Sequence, residues 1–104
     1  MELQDGAENR RRNSESNWWA RVAARDWAEL TRTYRITPLQ LQVARRLLRG
    51  KTVDAIACEL GRSARTIKDR VRSLYAKFLA RNRIGFCMAV RDAIERSSRR
   101  VETR

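Results

Sequence analysis

Residues 63–80, SARTIKDRVRSLYAKFLA, determine how the rest of this sequence is interpreted. Their large apolar side chains recur at intervals of four, three and four residues, at Ile67, Val71, Leu74 and Phe78. This spacing is the period of one buried stripe on an α-helix, so we predict a helix with one face packed inward. Ser63 is placed to be its N-cap, because a serine hydroxyl can accept a hydrogen bond from a backbone N–H of the first turn.

The opposite face of this helix is polar and mainly basic, and consists of Arg65, Lys68, Asp69, Arg72, Ser73 and Ala76. Such a face suits a helix that enters a groove of nucleic acid, although a solvated charged face has the same pattern. A short amphipathic segment, residues 52–60, precedes this helix across Gly61 and Arg62. The two segments together predict a helix-turn-helix, which favours the nucleic-acid interpretation.

The charge of the chain is concentrated in the same region. The formal net charge is +12 over 104 residues; residues 1–35 contribute only +1, which leaves +11 for residues 36–104. Residues 62–83 hold eight basic side chains and one acidic side chain, a density suited to a polyphosphate backbone. We therefore predict double-stranded DNA as the partner.

Other chemistries find little support in the composition. The chain has no histidine and two cysteines, Cys58 and Cys87, which are too few for a disulfide framework or a zinc site. We predict no enzymatic activity, no cofactor, no metal and no small-molecule ligand. No apolar run approaches the length of a membrane span and no signal peptide opens the chain, so we expect a cytoplasmic, nucleoid-associated protein without a membrane partner.

We expect an all-α chain, because Gly and Pro are few and strand-like alternation is lacking. Four segments are predicted: a flexible arm over 1–16, a Trp-rich helix over 17–35, a helix-turn-helix domain over 36–97 and a basic tail over 98–104. The Trp-rich helix would have Ser16 or Asn17 as its N-cap. Arg10, Arg11 and Arg12 of the arm either remain solvated or reach a phosphate or a minor groove of the DNA.

Helix boundaries are marked by capping residues. Thr37, Pro38 and Gln40 form a capping box with proline at the first helical position, and Gly50 is placed to end that helix. Thr52 and Asn82 are the predicted N-caps of the short segment and of a last helix that runs to about residue 97. Cys58 falls beside the inner stripe of the short segment and is expected to be partly exposed.

Two apolar surfaces have alternative interpretations. Trp19, Trp27 and Leu30 either close one side of the core, or the Trp-rich helix forms a docking or dimerisation surface. Trp18 is the residue least easily explained by one buried stripe. The last helix has an apolar set wider than one stripe, which predicts two apolar neighbours, its own domain and a second subunit. We predict a homodimer whose partner contacts include Phe86, Met88, Val90 and Trp18.

Residues 36–93 resemble the LuxR/GerE family of DNA-binding domains. The resemblance is carried by Ile36-Thr37-Pro38, Val43, Leu47, Gly50, Ile56-Ala57, Leu60-Gly61, Ser63, Arg65-Thr66-Ile67-Lys68, Lys77-Phe78 and Arg81-Asn82-Arg83. It implies a four-helix bundle, here preceded by an extra N-terminal amphipathic helix, whose third helix (about 64–80) reads the major groove. It also implies phosphate contacts by Arg65 and Thr66, and base contacts by Lys68, Asp69 and Arg72. With Arg62, Ser63 and Lys77 these residues complete the predicted DNA-binding set.

The sequence departs from the pattern of that family at several positions. Gln40 and Gln42 stand where acidic residues are common, and Arg46 stands where an apolar residue is usual. Arg70 replaces a frequent histidine, which makes the segment also similar to the promoter-reading domain of sigma factors. Asp69 brings a negative charge to DNA, and it either selects a base or weakens binding. The 35 residues before the resemblance are too few for the receiver or ligand-binding domain that many members carry, so we expect a chain similar to the stand-alone members.

The resulting hypothesis is a sequence-specific transcription regulator that binds double-stranded DNA as a homodimer. The alternative is a protein-interaction module, a truncated regulator that sequesters a related regulator or binds RNA polymerase or a sigma factor. A non-specific nucleoid protein is a third interpretation.

Overall fold

The computed structural model describes the backbone of residues 18–102 and the side chains of residues 18–19 and 22–97. A 3-10 turn, Trp18–Arg21, precedes helices α1 (Ala24–Thr33), α2 (Pro38–Leu48), α3 (Val53–Leu60), α4 (Ala64–Lys77) and α5 (Arg83–Glu102). All regular structure in this part of the chain is helical, which confirms the predicted class. The predicted arm over 1–16, the predicted N-cap at Ser16 or Asn17 and the side chains of the basic tail lie outside these ranges.

The N-terminal segment is two elements, which corrects the prediction of one helix over 17–35. The break falls at Val22 and Ala23, where Ala23 has an extended backbone (φ −69°, ψ 152°) and its side chain caps no N–H. An extended residue cannot continue the hydrogen bonds of a helix, so α1 begins only at Ala24. Trp27 and Leu30 of α1 are buried, as expected for an amphipathic helix that closes the core.

The predicted caps of α2 and α3 are present. The Thr37 hydroxyl accepts a hydrogen bond from the Gln40 N–H (3.2 Å), and the Thr37 N–H donates to Gln40 Oε1 (3.0 Å), which completes the capping box. Thr52 caps α3 by accepting from the Ala55 N–H at 3.1 Å. Gly50 follows α2 with φ +80°, a left-handed conformation that glycine adopts without strain.

Helix α4 begins as predicted and ends earlier than predicted. Gly61 ends α3 at φ +63°, and the Ser63 hydroxyl then accepts from the Thr66 N–H at 3.1 Å. The predicted helix reached residue 80, but α4 ends at Lys77, and Leu79 adopts φ +54° with 92% of its surface exposed. Asn82 is the expected cap of α5, which continues through Glu102, beyond the predicted end near residue 97.

The core lies where the five helices meet: α4 packs against both α2 and α3, α1 packs against α5, and all five helices contribute buried side chains. The largest fully buried side chains come from α2 to α5: Val43, Leu47, Ile56, Ile67, Leu74, Phe86 and Val90. Aromatic rings join α1 to α4 and α5: Tyr34 stacks on Phe78 at 4.1 Å between centroids, and Phe78 meets Phe86 edge to face at 5.3 Å. The predicted inner stripe of α4 is therefore confirmed, with Val71 half-buried at its edge.

The burial of α5 corrects part of the predicted dimer seam. Phe86 and Val90 are 0% and 1% exposed because they fill the core of their own chain, so they have no surface to offer a second subunit. Met88 is 67% exposed and remains available, and Ile84, one helical turn earlier, is 74% exposed. Cys58 is exposed, as expected.

Candidate nucleic-acid interface

Helix α3 is held against both α4 and α2, and so supports the exposed face of α4 that carries Lys68, Asp69 and Arg72 (the recognition face). Both Ile56 and the small Ala57 of α3 are buried, which allows close packing against α4. Outside the core, Glu59 of α3 accepts hydrogen bonds from the Lys51 ammonium and the Arg46 guanidinium. These partners, Lys51 most strongly, lower the pKa of Glu59 below its usual value of 4.5. The ion pairs therefore join α3 to α2 and to the loop between them.

The predicted base-reading residues share one exposed face of α4. Lys68, Asp69 and Arg72 are exposed, as is Arg65 one turn before Asp69, while Ile67 and Leu74 on the opposite side are completely buried. The described ion pairs involve other side chains, and neither Arg65, Lys68 nor Arg72 lies within 4.0 Å of a described carboxylate. This face therefore carries positive charge that the described protein side chains do not neutralise.

The predicted phosphate contacts cluster at the start of the same helix. The Ser63 hydroxyl donates to Thr66 Oγ1 at 2.9 Å while it accepts from the Thr66 N–H. Arg62 is exposed immediately before this cap. The N-terminus of a helix carries partial positive charge and free N–H groups, so polar and cationic side chains here suit a phosphate.

Lys77, the last residue of the predicted DNA-binding set, and Ser73, predicted only on the outward face, both contact the protein itself. Lys77 Nζ donates to the Arg35 carbonyl (2.6 Å) and to Gln40 Oε1 (2.7 Å), and Gln40 Nε2 donates to Ser73 Oγ (3.1 Å). Ser73, predicted on the outward face, is thus half-buried against α2, because it is the acceptor that the Gln40 amide requires. The structure assigns the Lys77 ammonium a role in holding α4 to α2, and DNA contact by Lys77 stays a prediction.

Sequence patterns did not reveal the partners of Gln40, of Arg45 on α2 or of Arg49, the C-cap residue of α2. Arg45 Cζ lies 5.6 Å from the centroid of the Trp27 ring, and Arg49 Cζ lies 5.4 Å from that of Trp19. The spacing of the two arginines by one turn was visible in the sequence, but the tryptophans that they contact come from two other elements, the 3-10 turn and α1. Trp18, a predicted partner contact, is half-buried in the 3-10 turn.

Neither a metal centre nor a membrane span is found in the described ranges. No three or more cysteine, aspartate or glutamate side chains there are grouped so that they could hold a metal ion. None of the helices described between residues 18 and 102 combines the length and apolar character needed to cross a bilayer.

Comparison with known proteins agrees with this geometry. No curated protein and no solved structure matches the chain significantly. The family model GerE, described as bacterial regulatory proteins of the luxR family, matches residues 35–90. That range contains α2, α3 and α4 entire and the first part of α5, and it is more than half of the chain. The chain therefore belongs to the LuxR family of bacterial regulatory proteins, whose helix-turn-helix domain makes it a DNA-binding transcription regulator.

Proposed function

We propose that the chain recognises a specific sequence in double-stranded DNA, with α4 in the major groove. One observation carries the proposal: Lys68, Asp69 and Arg72 are exposed on one face of α4, without described ion-pair partners, while the opposite face is locked in the core. Lysine and arginine donate to guanine O6 and N7, and a carboxylate accepts from cytosine N4. The preferred half-site therefore contains G·C pairs.

The phosphate contacts of this complex come from the first turn of α4. Arg65 and Thr66 lie in that turn, Ser63 is its N-cap and Arg62 immediately precedes the cap, and these residues position the helix without reading the sequence. Their cationic members release condensed counterions from DNA, so they supply much of the affinity and its dependence on salt. Replacing Arg65 with Ala is expected to weaken binding to all DNA sequences about equally. It should also reduce by about one the slope of the logarithm of the binding constant against the logarithm of the salt concentration.

The test begins with selection of binding sites by the wild-type chain from a pool of random duplexes. Lys68→Ala and Arg72→Ala are each expected to weaken binding to the selected site by about 1 to 3 kcal/mol, which raises Kd roughly 5- to 150-fold. Each variant should also distinguish less well between the selected site and other sequences. Arg32→Ala is the matched control, because Arg32 is an exposed arginine on α1, paired with Glu29 at 2.9 Å. A selection that enriches no sequence, or equal losses for Arg72→Ala and Arg32→Ala, would show that α4 does not read DNA.

We also propose that the chain binds DNA as a homodimer through the outer face of α5. Ile84 and Met88 are one turn apart and both largely exposed, which is unusual for large apolar side chains and typical of a helix with a second partner. A twofold dimer would place two copies of α4 about one turn of DNA apart. Met88→Glu is expected to shift sedimentation from dimer to folded monomer, whereas Arg32→Glu leaves the dimer intact. A wild-type chain that sediments as a monomer on DNA would contradict this part.

A further inference from the structure

A second surface lies between α1 and α2, away from the recognition face. It is a groove of about 830 Å³ whose apolar lining includes Val22, Trp27 and Leu41, and whose rim includes Arg45. A smaller depression shares Leu41 and Arg45 with this groove and extends it along α2 to Arg49. No acidic side chain lines either part, so the described surface is apolar in the middle and cationic at its edge.

The two arginines of the rim are held in place by tryptophan rings. Arg45 lies over Trp27 and Arg49 over Trp19, at 5.6 and 5.4 Å from the ring centroids. A cation–π contact engages the charge of a guanidinium and uses none of its five N–H donors as hydrogen bonds, so these donors are available to a carboxylate or phosphate. Both arginines are exposed, and no described carboxylate pairs with either of them.

This rim lies on the side of α2 that faces away from α4. Gln40 marks the side that faces α4, because its amide donates to Ser73. At 3.6 residues per turn, Arg45 and Arg49 are rotated roughly 140° and 180° from Gln40 around the helix axis. The groove can therefore be occupied while α4 contacts DNA. Trp27 and Val22 precede residue 35, so the groove also lies partly outside the segment that matches the family.

We propose that this groove binds an acidic amphipathic helix of a partner protein. The apolar side chains of such a helix would cover Trp27 and Leu41, and its carboxylates would pair with Arg45 and Arg49. Arginines one turn apart are separated by about 6 Å along α2, which matches carboxylates one turn apart on a partner helix that lies alongside it. A DNA backbone offers phosphates to the arginines but no apolar groups to the groove, so charge and apolarity together favour the acidic helix.

The test uses a synthetic helical peptide as the probe. A peptide of about 18 residues, with leucines along one stripe and glutamates along both edges of that stripe, is titrated into the full chain at about 0.15 M salt. All three tryptophans of the chain lie in α1 or in the turn before it, so their fluorescence reports occupancy directly. The control peptide has the same composition in a scrambled order, without the stripe. We expect binding of the striped peptide at least about tenfold tighter than that of the scrambled one.

Charge-reversal variants locate the site. Arg45→Glu and Arg49→Glu are each expected to lower the affinity for the striped peptide about tenfold and to leave the affinity for DNA within about threefold of wild type. Arg72→Glu changes the net charge by the same amount, and we expect the reverse: loss of DNA binding with peptide affinity within about twofold of wild type. Far-UV circular dichroism confirms that each variant is folded.

Four results would overturn the proposal. The first is equal affinity of the chain for the striped and scrambled peptides. The second is that Arg45→Glu and Arg72→Glu lower the affinity for the striped peptide equally. The third is a loss of DNA affinity in Arg45→Glu as large as in Arg72→Glu, which would assign the rim to the DNA backbone. The fourth is dissociation of a dimer by Arg45→Glu, which would mean that a second copy of the chain covers the groove. Because peptide and DNA are measured separately, failure of this proposal is distinguishable from failure of DNA recognition.

Discussion

Replacing Gln40 with Ala tests how firmly the recognition helix is held. Gln40 is only 4% exposed, and its amide makes three hydrogen bonds: from the Thr37 N–H, from Lys77 Nζ and to Ser73 Oγ. A hydrogen bond of this kind contributes about 1 kcal/mol net, and the bond to Lys77 is held to that figure because its ammonium is only half-buried. The lost methylene adds about 0.8 kcal/mol. Water can hydrogen-bond some of the groups that lose Gln40 as a partner, so we expect the free energy of unfolding to fall by about 3 kcal/mol.

A loss of about 3 kcal/mol is a large part of the stability of a domain this small, for which about 5 to 15 kcal/mol is usual. Urea unfolding followed by tryptophan fluorescence measures it, and Tm is expected to fall by more than about 10 °C. The control is Gln42→Ala, which deletes the same atoms from an exposed site on the same helix where Oε1 accepts only from Arg46. We expect Gln42→Ala to lower the free energy of unfolding by less than about 1 kcal/mol. Equal losses in the two variants would refute the role assigned to Gln40.

Three further outcomes follow from single residues. Leu79→Gly is expected to be about 1 kcal/mol more stable than Leu79→Ala in urea unfolding, because only glycine adopts φ +54° without strain; equal stabilities would contradict this. The lowered pKa of Glu59, due chiefly to Lys51, stabilises the fold above pH 4.5, and this stabilisation is lost as the pH falls through the folded pKa. Glu59→Gln should therefore show a flatter dependence of the urea midpoint on pH between about 6 and 3 than wild type, and an unchanged slope would exclude this linkage. Burial raises the pKa of Cys87 despite the opposing charge of Arg83, so a thiol reagent should modify the exposed Cys58 first, as mass spectrometry of partly labelled protein would show.

Local chemistry determined much of the fold in advance. Thr37 with Gln40, Thr52, Ser63 and Asn82 each cap a helix within three residues along the chain, so the sequence alone was sufficient to predict them. The four-three-four spacing in α4 likewise predicted its buried stripe, since periodicity depends only on the geometry of one helix. The exposure of Lys68, Asp69 and Arg72 followed from the same geometry.

Where the sequence was insufficient, the deciding contacts join residues far apart in the chain. The sequence showed that α5 has many apolar residues, but not which of them are buried. Phe86 and Val90 face inward while Ile84 and Met88 face outward, because of the way α5 is rotated against α1 and α4. The end of α4 at Lys77 likewise coincides with a long-range contact, Phe78 against Phe86, and with no glycine or proline that the sequence could have signalled.

By itself, then, the sequence determined the four helices after residue 36, their N-caps, the charged face of α4 and the resemblance to a family of DNA-binding domains. Only the tertiary structure decided that Gln40 is bonded to Ser73 and Lys77, 33 and 37 residues away, and so holds α4 against α2. It also decided that Arg45 and Arg49 lie over tryptophan rings from two other elements. The physical reason is that caps and periodic stripes depend on neighbours within one turn. Pairings between helices depend instead on the rotation and separation of whole elements, which are set by the packing of the entire core.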